Sequence, residues 1–395
     1  MDRPQRVLFL GAGSSVGAGY PLGRDLIRAV EEFFATIEMD VGRKAYWERF
    51  LSFRDTAKDT AQLLLHSGNP EVVLSYLDLC VEGLLADDAE IRAAERSAVH
   101  DFLRIQDGGE ATEFARDREV DIEALYNDLK RAPFKAAARA RLGFVAGLDA
   151  YLGYMHAADD QAGAAKRRDY LYRELGNLDE GDIVITTNYD TLAERALLET
   201  GRLSAIDGYG FTVPLTSVPS DAIVPRRDPP TWATRPSKVK VLKLHGSFGW
   251  RQIEGLSDTA SDEVILGSEL LQFMLPAKGG RTSLLYDRRE KRAPFPMTVP
   301  AMAYPSYLKQ TTGSTLLDVW EATRLALEHA TEIRILGASL PPADTAVRTL
   351  FLATRSRLQR AEVSVQVDDR SEESFNRWRT HLGPRVQWAK RFAGE

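Results

Sequence analysis

Two polar clusters follow apolar runs in this sequence, and their side chains have the chemistry of a binding site. The segment ITTNYDTL, residues 185–192, places Asn188 and Asp190 after one such run. An Asn amide both donates and accepts hydrogen bonds, so it can hold a ribose hydroxyl or a water molecule. The segment LKLHGSFGW, residues 242–250, places His245 after a second run. An imidazole at that position can act as a general base near neutral pH.

Asp190 and His245 also have structural interpretations. Asp190 could bond the backbone N–H groups of a helix that starts there, and His245 could be a hydrogen-bonded residue of the core. The capping role of Asp190 would leave Asn188 and the two threonines before it unexplained. Five other histidines lie in helical or polar patterns and are interpreted as solvated or packing residues: His66, His100, His156, His329 and His381.

A glycine-rich turn follows the first apolar run. The segment LFLGAGSSVGAGYP, residues 8–21, contains Gly11, Gly13, Gly17 and Gly19. A strand, a glycine turn and a helix N-terminus suit a dinucleotide pyrophosphate, because glycine lets the backbone approach the phosphates and N–H groups can donate to them. The spacing departs from G-x-G-x-x-G, since position 16 is valine. The alternative is a tight turn without a ligand.

These motifs need a scaffold in which strands alternate with helices. Short apolar runs predict buried parallel strands, and helical spacing of apolar residues predicts helices between them. The fold class is therefore α/β: a Rossmann-like, doubly wound parallel sheet with a large helical insertion. The predicted strands are 6–13, which includes the turn, 182–188, 238–246, 332–340 and 362–367, and the predicted helices are 21–34, 190–199 and 314–330.

The whole chain, residues 1–395, is assigned to one domain, with a mainly helical insertion at 35–180. In the segment 141–158 an apolar face is formed by Leu142, Val145, Leu148, Leu152 and Met155. The segments 202–237 and 252–312 are rich in Gly, Pro, Ser and Asp, so we expect long loops with short strands that cover a cleft. The basic, aromatic segment 377–392 is interpreted as a final strand–helix unit rather than an interface.

Composition limits the function classes. The chain has 395 residues, 44% of them apolar, and a net charge of −6, which disfavours nucleic acid as the primary ligand. Cys80 is the only cysteine, so neither an internal disulfide nor a multi-cysteine zinc site can form, and no metal is expected. No run of 18 apolar residues and no signal-peptide core is present, so we expect a cytoplasmic protein without a membrane contact.

Together the motifs resemble those of the sirtuin superfamily. Four family motifs occur here in the family's order: GAGSSVGAGYP with Gly11, Ala12, Gly13, Ser15, Gly19 and Pro21; TTNYDTL from Thr186 to Leu192; Leu244-His245-Gly246; and GASL from Gly337 to Leu340. The family's four-cysteine zinc module is absent, and its D-F-R after the glycine motif is replaced by PLGRD. Tyr189 stands for a pocket isoleucine, and Asp368 or Asp369 stands where the family has an Asn. The segments LGASLPPADTAVRTLF, residues 336–351, and VPAMAYPSYLKQ, residues 299–310, are more similar to the sirtuin-like domains of bacterial anti-phage defence proteins, which lack the zinc module, have helical insertions and hydrolyse NAD.

The resemblance implies NAD as the substrate and assigns roles to individual residues. Asn188 would orient the nicotinamide ribose and the attacking water, His245 would be the general base, and Asp190 would bind the nicotinamide carboxamide. The remaining residues implied in NAD binding are Gly11, Ala12, Gly13, Ser15, Gly19, Pro21, Thr187, Gly337, Ser339 and Asp368.

The implied activity is cleavage of NAD to nicotinamide and ADP-ribose in anti-phage defence. Because constant NAD destruction is toxic, we expect regulation by a homo-oligomer, a partner ATPase or a sensor protein. Two alternatives remain open. One is NAD-dependent ADP-ribosyl transfer to, or deacylation of, a protein, and the other is a non-catalytic NAD-binding subunit.

Overall fold

The computed structural model describes residues 5–37, 41–57, 62, 65–66, 70–81, 136–159, 169–204, 207–211, 236–253, 264–266, 298–302, 314–340 and 344–389. Its strands are β1 Arg6–Leu10, β2 Ile183–Thr186, β3 Lys240–Lys243, β4 Gly246–Ile253, β5 Val264–Leu266, β6 Thr298–Met302, β7 Glu332–Leu336, β8 Ser364–Asp368 and β9 Gln387–Ala389. Its α-helices are α1 Leu26–Thr36, α2 Val41–Thr56, α3 Pro70–Val81, α4 Ala136–Asp159, α5 Asp169–Gly176, α6 Leu192–Glu199, α7 Ser314–His329, α8 Thr345–Gln359 and α9 Glu372–Leu382.

The main sheet has six strands in the order β3-β2-β1-β7-β8-β9, and each neighbouring pair is parallel. Helices lie on both sides of it, which confirms the predicted Rossmann-like α/β fold. Counted along the chain, this order is 3-2-1-4-5-6, and it reverses between β1 and β7. Open sheets of this kind bind ligands at the carboxyl ends of the strands beside the reversal.

Strand register brings the ends of distant segments into one row. Leu10 pairs with Thr186 on one side and with Leu336 on the other. Thr186 in turn pairs with Lys243, and Leu336 pairs with Asp368. The residues that follow these strands therefore emerge at one edge of the sheet, where a ligand can contact several of them.

The strands form because their apolar residues are covered on both faces. Val7 to Leu10 of β1 are all buried. Phe9 contacts the rings of Phe351 on α8 and Trp378 on α9, with centroids 4.9 and 5.9 Å away. Burying an aromatic side chain of this kind contributes about 1.5–3 kcal/mol to stability, so this packing fixes α8 and α9 against the sheet.

Several helix and strand boundaries differ from the predicted ones. Helix 21–34 begins only at Leu26, because Leu22 is extended and the short 3₁₀ helix Gly23–Asp25 intervenes; glycine is a poor residue for a first α-helical turn. The predicted strand 238–246 ends at Lys243. Gly246 then has φ +73° and opens β4, which pairs with β5 and β6 in a second, three-stranded antiparallel sheet.

The described part of the segment 35–180 is helical. It contains α2, α3, α4 and α5. Helices α2 and α4 pack closely, since a Cβ added to Gly147 would lie 2.2 Å from the Trp47 ring. On the predicted face of α4, Val145, Leu148 and Leu152 are buried and Met155 is partly buried, while the side chain of Leu142 lies outside the described atoms.

The C-terminal segment forms a helix and a strand, as predicted. Helix α9 is followed by β9, which pairs with β8 at the edge of the main sheet. Among the described residues, every helix is too short or too polar to cross a bilayer.

Candidate active site

The glycine turn after β1 packs onto the turn after β7. Gly11 N donates to Leu336 O at 3.0 Å, and Gly13 N donates to Gly337 O at 2.8 Å. A Cβ on Gly11 would lie 2.5 Å from Ala338 Cα, and Gly337 has φ +57°. Glycine is therefore required by close approach of two backbones, and the N–H groups of Gly11 and Gly13 are already bonded within the protein.

Asn188 holds the glycine turn from the neighbouring strand. Its amide Nδ2 donates to Gly11 O at 3.0 Å and lies 3.0 Å from Ser15 Oγ. Because a backbone carbonyl only accepts, this contact fixes which end of the amide is nitrogen. Asn188 is half-buried, and its Oδ1 accepts no hydrogen bond from any residue that the structure describes. The amide is oriented, and its oxygen remains able to accept a hydrogen bond.

The Thr186 hydroxyl holds the backbone at Asn188 in place. Its hydroxyl donates to Leu10 O at 3.1 Å and accepts from Asn188 N at 3.0 Å. The buried threonine at the end of β2 thus links β1, β2 and the backbone that carries the amide. The adjacent Thr187 donates through its backbone N to the same Leu10 O at 3.3 Å.

Asp190 performs the structural role considered for it and also joins the polar network. Its Oδ1 accepts from Leu192 N at 3.0 Å, at the start of α6. Its Oδ2 accepts from the Ser15 hydroxyl at 2.7 Å. With both oxygens bonded and only 9% of the residue exposed, Asp190 ties the glycine turn to the helix after β2.

His245 lies in the turn between β3 and β4 and is 4% exposed. Its Nε2 is 3.2 Å from Oδ2 of Asp344, a buried residue that also caps α8 by accepting from Val347 N. Since a carboxylate oxygen only accepts, Nε2 carries the hydrogen, and Nδ1 is the nitrogen that would take up a proton. The arrangement is that of an imidazole oriented by a carboxylate.

The two polar clusters meet at one edge of the sheet. The ring of Tyr189 lies 6.0 Å from the ring of His245, and Phe248 N donates to Tyr189 O at 2.9 Å. Asn188, Asp190 and Ser15 are in direct contact with the glycine turn or with each other. His245 packs beside the ring of Tyr189, which stands between Asn188 and Asp190 in the chain.

The remaining predicted binding residues occupy different settings. Ala12 begins the 3₁₀ helix Ala12–Ala18, and Gly19 closes it with φ +91°. Pro21 is partly buried just beyond this helix, and Ser339 is exposed with its carbonyl 3.4 Å from an Arg377 nitrogen. Their contact with NAD stays a prediction.

Asp368 lies in an ion pair rather than in the Asn188 network. Its Oδ2 is 2.9 Å from Arg334 and accepts from the Tyr170 hydroxyl at 3.3 Å, and the residue is 1% exposed. Burial raises the pKa of the Asp368 carboxyl, against the opposing effect of Arg334. Its predicted role in NAD binding stays a prediction.

Sequence reasoning missed four residues that contribute to this region. Asp344 had a local signal, because an Asp before TAVRTLF is typical of a helix N-cap. Glu194 and Lys243 form a buried pair whose nitrogen and oxygen are 2.9 Å apart. His156 Nδ1 lies 3.0 Å from the Thr191 hydroxyl. His156 follows Leu152 by one helical turn, so the spacing of the apolar face could have identified it as buried.

One known protein family matches part of this chain. The family model of the SIR2-like domain matches residues 182–289, which include Asn188, Asp190 and His245. The glycine turn and the segment Gly337 to Leu340 lie outside the matched range. No curated protein matches the sequence. The resemblance drawn from the motifs is confirmed for this range: residues 182–289 match the SIR2-like domain, and this match supports an NAD-related, sirtuin-like function.

Proposed function

We propose that the chain is an NAD glycohydrolase that cleaves NAD to nicotinamide and ADP-ribose. One observation carries the proposal. Inside the range matched by the SIR2-like domain, an oriented Asn188 amide, whose oxygen accepts no bond from the described residues, lies at the same sheet edge as His245. The edge belongs to a sheet whose order reverses beside the glycine turn, which is where such sheets take dinucleotides.

The proposed reaction needs positioning more than acid catalysis. The bond between nicotinamide and its ribose carbon breaks, and both electrons leave with nicotinamide as a neutral group. The oxygen of a water molecule bonds to the sugar carbon, and one of its protons passes to a base. Asn188 Oδ1 would accept from the water or a ribose hydroxyl, His245 Nδ1 would receive the proton, and Asp344 would stabilise the resulting imidazolium.

The first experiment compares the parent protein with Asn188→Ala. Purified protein is incubated with NAD, and nicotinamide and ADP-ribose are quantified over time. We expect equimolar products from the parent and a loss of about 10²–10³-fold in kcat for Asn188→Ala, as for the removal of one preorganised polar group. The matched control is Asn177→Ala. Asn177 is exposed and its carbonyl accepts from Arg6 at the amino end of β1, away from the site.

The same assay separates the alternatives. Transfer to protein would leave label from NAD on the chain or on an added acceptor, and a non-catalytic subunit would bind NAD without releasing nicotinamide. An Asn188→Ala variant as fast as the parent would refute the assignment of the site.

A role in anti-phage defence through NAD depletion would follow from this activity, with control by self-assembly or a partner ATPase or sensor protein. Repeating the assay over a range of protein concentrations tests control by assembly, because mass action makes the active fraction depend on concentration.

A further inference from the structure

Beneath the site lies a pair of opposite charges with no exposed side-chain surface. Lys243 Nζ at the end of β3 is 2.9 Å from Glu194 Oε1 on α6, and both side chains are 0% exposed. Burial raises the pKa of the Glu194 carboxyl, while Lys243 acts in the opposite direction. Glu194 Oε2 is buried and makes no hydrogen bond within the described part of the chain.

This pair is an expensive way to stabilise a fold. The desolvation of two buried charges often exceeds their mutual attraction, and well-packed apolar residues can replace such pairs without loss of stability. The unpartnered Glu194 Oε2 adds a further cost. A role in geometry therefore accounts for the pair better than a role in stability does.

The residues that bond Glu194 flank His245 in the chain. Lys243 and Ser247 stand two positions before and two positions after the histidine, and both bond Glu194 Oε1, Ser247 through its hydroxyl at 3.2 Å. Glu194 thus holds the His245 turn on both sides.

The Lys243 ammonium makes a second bond, to the backbone carbonyl of Asp190. Asp190 lies two residues after Asn188 and is bonded to the glycine turn through Ser15. One ammonium therefore connects the segment that carries His245 with the segment that carries Asn188.

We propose that Lys243 and Glu194 are positioning residues that set the distance between the His245 turn and the Asn188 segment. The inference rests on the proposed function, in that it states which residues hold the two reacting groups in register. Displacements of about 1 Å can lower turnover by 10²-fold, so a buried connection between the groups has a direct kinetic consequence.

The test compares Lys243→Met, the double variant Lys243→Met/Glu194→Gln, and the control Lys240→Met, which removes an exposed lysine from the same strand. Lys243→Met leaves a buried carboxylate without its counterion, so its melting temperature falls. The double variant has no unpaired buried charge and regains most of that loss. Neither variant restores the bond to Asp190 O, so we expect kcat about 10²-fold below the parent in both.

Hydrogen exchange gives a readout that does not depend on activity. The backbone N–H groups of Asn188 and Leu192 are held by the Thr186 hydroxyl and Asp190 Oδ1, in the segment that Lys243 anchors. We expect faster exchange across residues 186–192 in Lys243→Met and in the double variant, and parent-like exchange in Lys240→Met.

The outcomes are separable. A double variant that regains turnover together with stability, or that exchanges like the parent across 186–192, overturns the positioning role. If the parent itself releases no nicotinamide, the proposed function fails, and the exchange data still decide whether Lys243 holds the segment.

Discussion

The two halves of the main sheet use buried polar groups differently. On the side of β1, β2 and β3, polar side chains bond across loops and leave Asn188 Oδ1 unbonded by the described residues. On the side of β7 and β8, Arg334 lies between Glu174 and Asp368, and the Tyr170 hydroxyl bonds the same Asp368 oxygen. The first cluster presents an acceptor at the sheet edge, while the second holds its charges in buried ion pairs, in which Asp368 Oδ1 makes no hydrogen bond with the described residues.

The difference shows that a polar residue at the carboxyl end of a strand is not by itself a ligand contact. Asn188 and Asp368 both follow the pattern of an apolar run that ends in a polar side chain. Asn188 is half-buried and oriented, whereas Asp368 is 1% exposed and paired with Arg334. What separates them is whether the fold leaves an accessible atom unbonded.

Asp344 joins the halves, and its removal should produce the largest effect of the three changes that follow. Asp344→Asn keeps an oxygen that can accept from Val347 N but removes the negative charge beside His245. An imidazolium formed during turnover would then lose its stabilising partner. We expect kcat to fall about 10²-fold with little change in KM, measured by steady-state nicotinamide release.

Asp369→Asn is the matched control for that variant. Asp369 also accepts a backbone N–H ahead of a helix, from Ser371, but it has no histidine partner among its hydrogen bonds in the described chain. Equal losses in the two variants would show that the effect does not depend on a histidine partner, and would contradict the proposed link between the halves.

Asp368→Asn tests whether the polar cluster beside β7 and β8 has only a structural role. Burial raises the folded-state pKa of this carboxyl above its ordinary value of 3.8. Between the ordinary pKa and the raised folded-state pKa, the folded chain binds more protons than the unfolded chain. The free energy of unfolding of the parent therefore falls as the pH rises through this range. The variant should lack this component in denaturant titrations across the acidic range.

The KM for NAD of Asp368→Asn sharpens the comparison further. A carboxylate held by Arg334 and Tyr170 should have no kinetic effect, so the KM of the variant should equal that of the parent. A clear rise in KM would instead support the NAD-binding role predicted from the sequence.

The sequence predicted five of the six strands of the main sheet, because these five are short apolar runs that alternate with helices. Residues 6–10, 332–336 and 364–368 form strands close to where the runs predict them. It also identified Asn188, Asp190 and His245, since each is a polar exception after an apolar run. The start of α1 was placed five residues too early, because helical spacing does not register an extended Leu22 and a 3₁₀ turn.

The partners of these residues could not be predicted from the sequence. Lys and Glu are almost never fully buried, so Lys243 and Glu194 carry no local signal of their burial. The contact between His245 and Asp344 spans about a hundred residues of chain and depends on how β3 and α8 meet at the sheet edge. Chain-distant pairing of this kind is set by topology and not by local pattern.

His381→Gln gives the smallest expected effect and extends the comparison to the outer face of the second half. His381 Nε2 donates to Arg348 O at 2.7 Å, and burial lowers the pKa of this imidazole, with Arg348 and Arg355 adding to the effect. Below the ordinary pKa of 6.5 the unfolded chain binds more protons than the folded chain, so the parent loses stability as the pH falls. The Gln amide can keep the hydrogen bond without titrating, so the variant should lose less stability than the parent as the pH falls below 6.5. Denaturant unfolding at several pH values measures this difference in stability, with the exposed His329→Gln as control.

Nicotinamide release above pH 6.5 should be the same in the His381→Gln variant and the parent. A loss of turnover there would mean that the second half does more than support the first.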